Sequence, residues 1–258
     1  MSQPQQPPRL DGSVALVTGA SRGIGAETAR LLGAKGARVV VNYREKRKRA
    51  DQVVAQIEAA GGSAVALGAD VTDEASRDLL VAEVREKYGR LDLLVLNASG
   101  GLEPGASPDY PMLINRDSQV RLLEQALDIM PRGSRVVFVT SHQAHFYPDK
   151  PVPEEYTPIA ASKRAGEDGI RARIPSLERK GVSLAVVTGD MIEGTTMVML
   201  LARRKPEEVE ARKAAAGGLP NVEEFAAEIV AEAEAAVPNG HTRYVGGSDW
   251  VAQAAQQG

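Results

Sequence analysis

Three glycines in the stretch VTGASRGIG, Gly19, Gly23 and Gly25, sit where an apolar run gives way to a helical pattern. Glycine at such a junction lets the backbone turn sharply and a ligand approach without a Cβ in the way, while the N–H groups of a helix start face an anion. The chemistry implied is the binding of a pyrophosphate, with Ser21, Arg22 and Ile24 completing the loop. A glycine triplet alone is a weak signal; its setting between strand and helix gives it meaning. The next apolar run ends in Asn42, Tyr43 and Arg44. An acidic residue here would bind a ribose 2′-hydroxyl, whereas a guanidinium pairs with a 2′-phosphate. With Arg22 able to reach the same region, these residues predict NADPH/NADP+ over NADH. Two of the three histidines, His142 and His145, closely follow Ser141. Histidine titrates near neutrality, so each is a candidate acid or substrate ligand; the alternative is a solvated or backbone-bonded loop residue. Two histidines at this spacing do not form a closed ligand set, and no metal is expected.

The elements that must position these groups follow from the hydrophobic pattern. The runs SVALVT, ARVVVNY, SAVALGAD, LDLLVLNAS, SRVVFVTS and VSLAVVTGD alternate with amphipathic stretches such as GAETARLLGAKG and EASRDLLVAEVREKYG. Continuous apolar strands separated by helices predict a parallel sheet covered on both faces. Such sheets bind ligands at the carboxyl ends of their strands. The charge run REKRKR falls at a strand-to-helix turn and reads as solvated surface apart from Arg44. No internal repeat or linker divides the chain.

The chain of 258 residues, 43% hydrophobic, is long enough for one sizeable core. Its formal net charge of −3 gives no pull toward nucleic acid or an anionic membrane. It contains no cysteine, which removes disulfides and thiolate chemistry and fits a reducing cytoplasm. No apolar run approaches the roughly 18 residues of a membrane span. The expectation is a cytoplasmic protein with residues 1–10 as a disordered lead and 11–258 as a single domain.

The glycine spacing departs from G-x-G-x-x-G and resembles the TGxxxGxG loop of the short-chain dehydrogenase/reductase family. The resemblance covers nearly the whole chain after the lead. Asp70, followed by Val71 in GADVTD, is similar to the family's adenine-contacting aspartate. LNASG resembles its NNAG segment, with Asn97 and Ala98 retained but Leu96 and Ser99 different. VVTGDMIEGTT resembles its PGxxxT clasp for the nicotinamide carboxamide, placing Gly189, Ile192 and Thr195, with Thr188 where proline is usual. GHTRYVGG resembles the closing strand. The resemblance implies a doubly wound, mostly parallel seven-stranded α/β Rossmann fold, a homodimer or homotetramer, and a substrate lid over about 190–218. The Met and Leu content of that lid reads as core packing and says little about substrate size.

Family members use a tyrosine to deliver a proton, a lysine that lowers its pKa and holds the nicotinamide ribose, a serine that orients the substrate oxygen, and a supporting asparagine. Ser141, Lys163 and Asn115 match three of these. Four residues before Lys163, one helical turn away on the same face, stands Ile159, which has no proton to give. The segment between Ser141 and Lys163 is also longer than usual, polar and broken by prolines. Tyr156 lies seven residues before Lys163, roughly 10 Å along a continuous helix. Pro158 suits a helix start, which leaves Tyr156 in the loop, where it is either a displaced proton donor folded back toward the nicotinamide or a packing or substrate-lining residue. Three functions follow. One is NADPH-dependent reduction of a small-molecule carbonyl, with Tyr156 or a loop histidine replacing the missing tyrosine. Another is reduction of an imine, hemiaminal or lactam, where an iminium forms no alkoxide to protonate. The third is a non-catalytic NADPH-binding sensor.

Overall fold

The strands lie where the apolar runs place them. In a computed structural model that describes residues 9–103, 105–247 and 249–250, β1 (Val14–Val17), β2 (Arg38–Tyr43), β3 (Ser63–Gly68), β4 (Leu93–Leu96), β5 (Arg135–Ser141), β6 (Ser183–Gly189) and β7 (His241–Val245) form one sheet of order β3-β2-β1-β4-β5-β6-β7. Every pairing is parallel. Alternate strand residues serve opposite faces, as a period of two requires. Val14, Leu16, Leu94, Leu96, Val136 and Phe138 pack into one core, while Ala15, Val17, Leu93, Val95 and Val137 pack into the other.

Helices α1 (Gly23–Ala34) and α2 (Arg47–Ala59) cover one face together with Phe225, Ile229 and Val230 from a late helix. α3 (Glu74–Tyr88) and the segments after β4 cover the other. α3 is bounded by recognisable chemistry. Asp73 accepts a 2.8 Å bond from the Ser76 N–H at its start, and Gly89 takes a left-handed conformation at its end.

After β4 the chain forms α4 (Tyr110–Met112), a π-helical turn (Leu113–Asp117) and α5 (Ser118–Ala126). Asn115 lies inside the π turn. Such turns often mark functional sites. The short α6 (His142–His145) follows β5 directly, and a 3₁₀ turn (Glu154–Tyr156) leads into α7 (Thr157–Arg171), with Pro158 in its first turn. α8 (Ile174–Lys180) precedes β6; α9 (Thr196–Arg204), α10 (Pro206–Ala216) and α11 (Val222–Glu234) precede β7. No helix among the described residues is long and apolar enough to cross a membrane.

Of the expected lead, residues 1–8 lie outside the described residues. Leu10, at its end, is buried in the core beside α1 and β2. The order reversal between β1 and β4 brings the carboxyl ends of five strands to one edge, with the glycine loop, Arg44, Asn97, Ser141 and Gly189 along it.

Candidate active site

The glycine loop is built as its composition requires. Gly19 and Gly23 have φ of +64° and +54°, where side chains are strained. Gly25 is needed for space: a Cβ there would meet Asn97 Nδ2 at 2.6 Å and the Gly19 carbonyl at 2.7 Å. Thr18 joins the ends of β1 and β4, its Oγ1 accepting from the N–H groups of Asn97 (2.9 Å) and Ala98 (3.0 Å). Asn97 Nδ2 donates back to the Thr18 carbonyl at 2.9 Å. Ser21 and Ile24 are half-buried in the loop, and Ser99 is exposed.

The end of β2 corrects one expectation. Asn42 does not face outward: it is buried, donating to the carbonyls of Leu67 (3.3 Å) and Ala69 (3.2 Å) and accepting from the Gly19 N–H (3.4 Å). It shapes the loop, and its polarity is spent on backbone. Tyr43 lays its ring against Gly68. The half-exposed Arg44 donates to the Tyr110 hydroxyl at 2.6 Å and pairs with Glu45 at 3.2 Å. Arg22 is exposed and donates to Thr196 Oγ1 at 3.3 Å, at the first residue of α9. Asp70 Oδ1 accepts from the Thr72 N–H and hydroxyl, and Val71 is buried beside it.

At the end of β5, Ser141 Oγ is buried with no hydrogen-bond partner among the described residues. Its neighbour is Tyr156. Burial raises the Tyr156 pKa, and proximity to Ser141 pulls it down, although the two hydroxyls fall short of good hydrogen-bond geometry. The helix starts at Thr157, so Tyr156 leaves the α7 axis and reaches the strand end. Ile159, in contrast, is buried with its Cδ1 against Gly101.

Lys163 carries an ammonium packed among protein atoms, and burial lowers its pKa to about 8 with no charge partner opposing. Asn115 Nδ2 donates to the Gly100 carbonyl (2.9 Å) and to Ser162 Oγ (3.0 Å). Gly166 presses on the Asn115 carbonyl so closely that any side chain would collide with it. That contact between α7 and the π turn fixes the helix bearing Lys163.

The two loop histidines are held by partners far away in sequence. His142 is fully buried. Its Nδ1 lies 3.0 Å from Thr188 Oγ1 and its Nε2 3.0 Å from the Gly246 carbonyl. With Nε2–H donating to that carbonyl, Nδ1 accepts from Thr188, and burial lowers the pKa, keeping the ring neutral. Both nitrogens are occupied, so a role as acid is not supported by its setting. His145 places Nδ1 2.9 Å from the buried Glu167 carboxylate and Nε2 3.2 Å from the Tyr244 hydroxyl. Burial opposes ionisation of Glu167, but His145 and Arg171 hold its pKa below the ordinary value.

Gly189 is close-packed under Phe225, and Ile192 is buried. Thr195 caps α9 by accepting from the Val198 N–H at 3.4 Å. The segment expected to form a lid does not follow the core-packing expectation: α9 has no buried residue, and Met197, Met199 and Leu200 are exposed. It is tied at one end by Arg22 to Thr196 and beyond its other end by Lys205 to Glu155 (3.0 Å). Among the described residues no group of three or more His, Cys, Asp or Glu is arranged to hold a metal.

The short chain dehydrogenase family model matches residues 13–206. Versicolorin reductase 1 of Aspergillus parasiticus is 35% identical over 76% of this chain and 75% of its own length. Matches to other curated reductases span 54–56% of those relatives' lengths. Among solved structures, the reductase LugOII, described as catalysing keto-reduction at C1 during lugdunomycin biosynthesis, has a TM-score of 0.77 at 27% identity, covering 93% of this chain and 99% of that one. The angucycline C-6 ketoreductase LanV with bound NADP has a TM-score of 0.78 at 26% identity, covering 93% and 96%. With the parallel sheet, the glycine loop and these matches in agreement, the chain belongs to the short-chain dehydrogenase family of oxidoreductases.

Proposed function

We propose that the protein is an NADPH-dependent reductase of an apolar, ring-containing ketone, with Tyr156 as the proton donor. One observation carries this reading: the Tyr156 hydroxyl lies beside the buried, unbonded Ser141 hydroxyl at the carboxyl end of β5. An orphaned hydroxyl next to a phenol suits a shared third partner, the substrate oxygen. The residues fit the cofactor as well. Gly19, Gly23 and Gly25 clear a path for the pyrophosphate, Arg22 and Arg44 are the cations for a 2′-phosphate, and the uncompensated Lys163 ammonium is suited to the nicotinamide ribose. When bound, NADPH supplies the hydride.

The chain's own residues do the rest. Ser141 and Tyr156 donate hydrogen bonds to the carbonyl oxygen, and Tyr156 then gives up its proton as that oxygen becomes an alkoxide. A phenol with a raised pKa stays protonated at neutral pH and is still far more acidic than the alcohol it forms. That favours reduction over the reverse oxidation, which would need the phenolate. A C=N reductase has no alkoxide to protonate, so the placement of Tyr156 beside Ser141 favours the carbonyl reading. His142 and His145 are positioning residues here, not acids.

The substrate class is inferred from α9. An exposed helix carrying Met197, Met199 and Leu200, tied to both the glycine loop and the Tyr156 turn, presents adaptable apolar surface where a ring system would lie. The similarity to an angucycline C-6 ketoreductase and to a reductase acting by keto-reduction supports a ketone as the reacting group. The test follows NADPH absorbance with bicyclic aryl ketones against small polar keto acids. At least about tenfold higher kcat/KM for the aryl ketones is expected, a gain of the size apolar contacts give. Binding of NADPH without turnover of any ketone would instead favour the sensor reading.

Lys163 supplies a pH prediction. Its charged form is the stronger donor to the ribose hydroxyls, so kcat/KM for NADPH should fall as pH rises through about 8 and the charge assistance is lost. In Lys163→Arg the guanidinium stays charged throughout, so the plateau drops but this alkaline limb disappears. A limb of unchanged position in the variant would assign it to another group.

A further inference from the structure

The insertion between β5 and α7 is fastened to the last strand and the tail at three successive points. His142 Nε2 lies 3.0 Å from the Gly246 carbonyl, His145 Nε2 3.2 Å from the Tyr244 hydroxyl, and Lys150 Nζ donates to the Trp250 carbonyl at 2.7 Å. The last point is also an aromatic clamp. Trp250 stacks on Phe146 with centroids 5.7 Å apart and planes 18° apart, and the Lys150 ammonium lies 4.8 Å from both ring centres. The guanidinium of Arg212, on α10, lies 5.6 Å from the centre of the same indole. Two cations on one ring would repel, but Arg212 is neutralised by Asp249 (2.7 Å) and Asp190 (2.6 Å), the second of which directly follows β6. The indole thus joins the insertion, the lid and the end of β6. The other end of the insertion is held by the Glu155–Lys205 pair.

We infer that Trp250 is a positioning residue: its stacking on Phe146 and its contact with Arg212 hold the insertion in the shape that sets Tyr156 beside Ser141. This rests on the proposed role of Tyr156. A helical register supplies that placement when the tyrosine lies one turn from the lysine; here a long-range clamp must supply it. Misplacement of a reacting group by about an ångström costs up to about a hundredfold in rate.

The test combines turnover with a direct reading of the loop. Trp250→Ala keeps the backbone carbonyl that Lys150 uses but removes the ring. It should raise amide hydrogen exchange across residues 142–156, lower kcat by about tenfold to a hundredfold, and leave NADPH affinity within about twofold. Trp250→Phe should restore most of the rate. In a Tyr156→Phe background the alanine change should cost little more, because the group being positioned is gone. As Trp250 is the only tryptophan in the chain, Lys150→Met should shift its emission and loosen the same loop without removing the ring. Unchanged exchange in both variants overturns the clamp whatever Tyr156 does. Raised exchange with unchanged kcat, in a protein that Tyr156→Phe slows, overturns the positioning role alone. If Tyr156→Phe is not slower, the proposed proton donor fails, and the positioning claim fails with it.

Discussion

Tyr156→Phe is expected to lower kcat for ketone reduction by about 10² to 10⁴, with NADPH affinity unchanged. Phenylalanine keeps the ring that fills the space between the 3₁₀ turn and β5, so the fold should hold and the loss is confined to one hydroxyl. Ser141 can still donate a hydrogen bond to the substrate oxygen, but an aliphatic hydroxyl is a far weaker acid than a phenol and is a poor substitute as proton donor. Ser141→Ala added to Tyr156→Phe should therefore cost less than the product of the single effects, since the two hydroxyls serve one oxygen. Restoring a tyrosine at position 159 is not expected to rescue the variant. Ile159 is buried with its Cδ1 against Gly101, and a phenol forced there would overpack the site at about 1–3 kcal/mol. Steady-state rates of the single and double variants decide the matter. A Tyr156→Phe enzyme within about threefold of the parent in kcat would exclude Tyr156 as donor.

The fold was legible because it rests on runs of apolar residues long enough to be buried strands, and on helix ends with explicit stop signals such as Gly89. The glycine loop was legible for the same local reason. The positions that the pattern misread are those decided by contacts distant in sequence. Asn42 reads as a cofactor contact from its place at a strand end, yet its side chain bonds the carbonyls of Leu67 and Ala69 at the end of the neighbouring strand. For His142 and His145 the pattern left acid and bonded loop residue both open, because the groups that occupy their nitrogens, Thr188, Gly246, Glu167 and Tyr244, lie 22 to 104 residues away. No local pattern marked Trp250, Arg212 or Glu167. The apolar residues of α9 were misread in the opposite sense: they read as core packing, yet Met197, Met199 and Leu200 are exposed, because composition alone does not distinguish a buried face from an open one. Tyr156 was legible as a candidate through Pro158, which sets the helix start; its proximity to Ser141 was not.

Cofactor selectivity is the second large effect. NADPH should bind more tightly than NADH, and Arg44→Ala should reduce that preference by about tenfold to a hundredfold, the worth of a charge-assisted hydrogen bond or a bidentate pair. Two terms contribute. Removing Arg44 deletes a cation for the 2′-phosphate and also uncovers Glu45, which Arg44 pairs at 3.2 Å, leaving a carboxylate that repels the phosphate. Arg44→Ala with Glu45→Gln separates them: the double variant should recover part of the NADPH affinity while NADH affinity stays nearly constant. Arg22→Ala should act in the same direction but less, because its guanidinium also bonds Thr196 and its loss frees the first turn of α9. Asn42 gives the enzyme no way to compensate for NADH, since its amide is already committed to backbone. Equilibrium binding of both cofactors at two salt concentrations is the deciding measurement. The arginine contribution should weaken with salt, whereas an Arg44→Ala protein that keeps both its preference and its salt dependence would place the 2′-phosphate elsewhere.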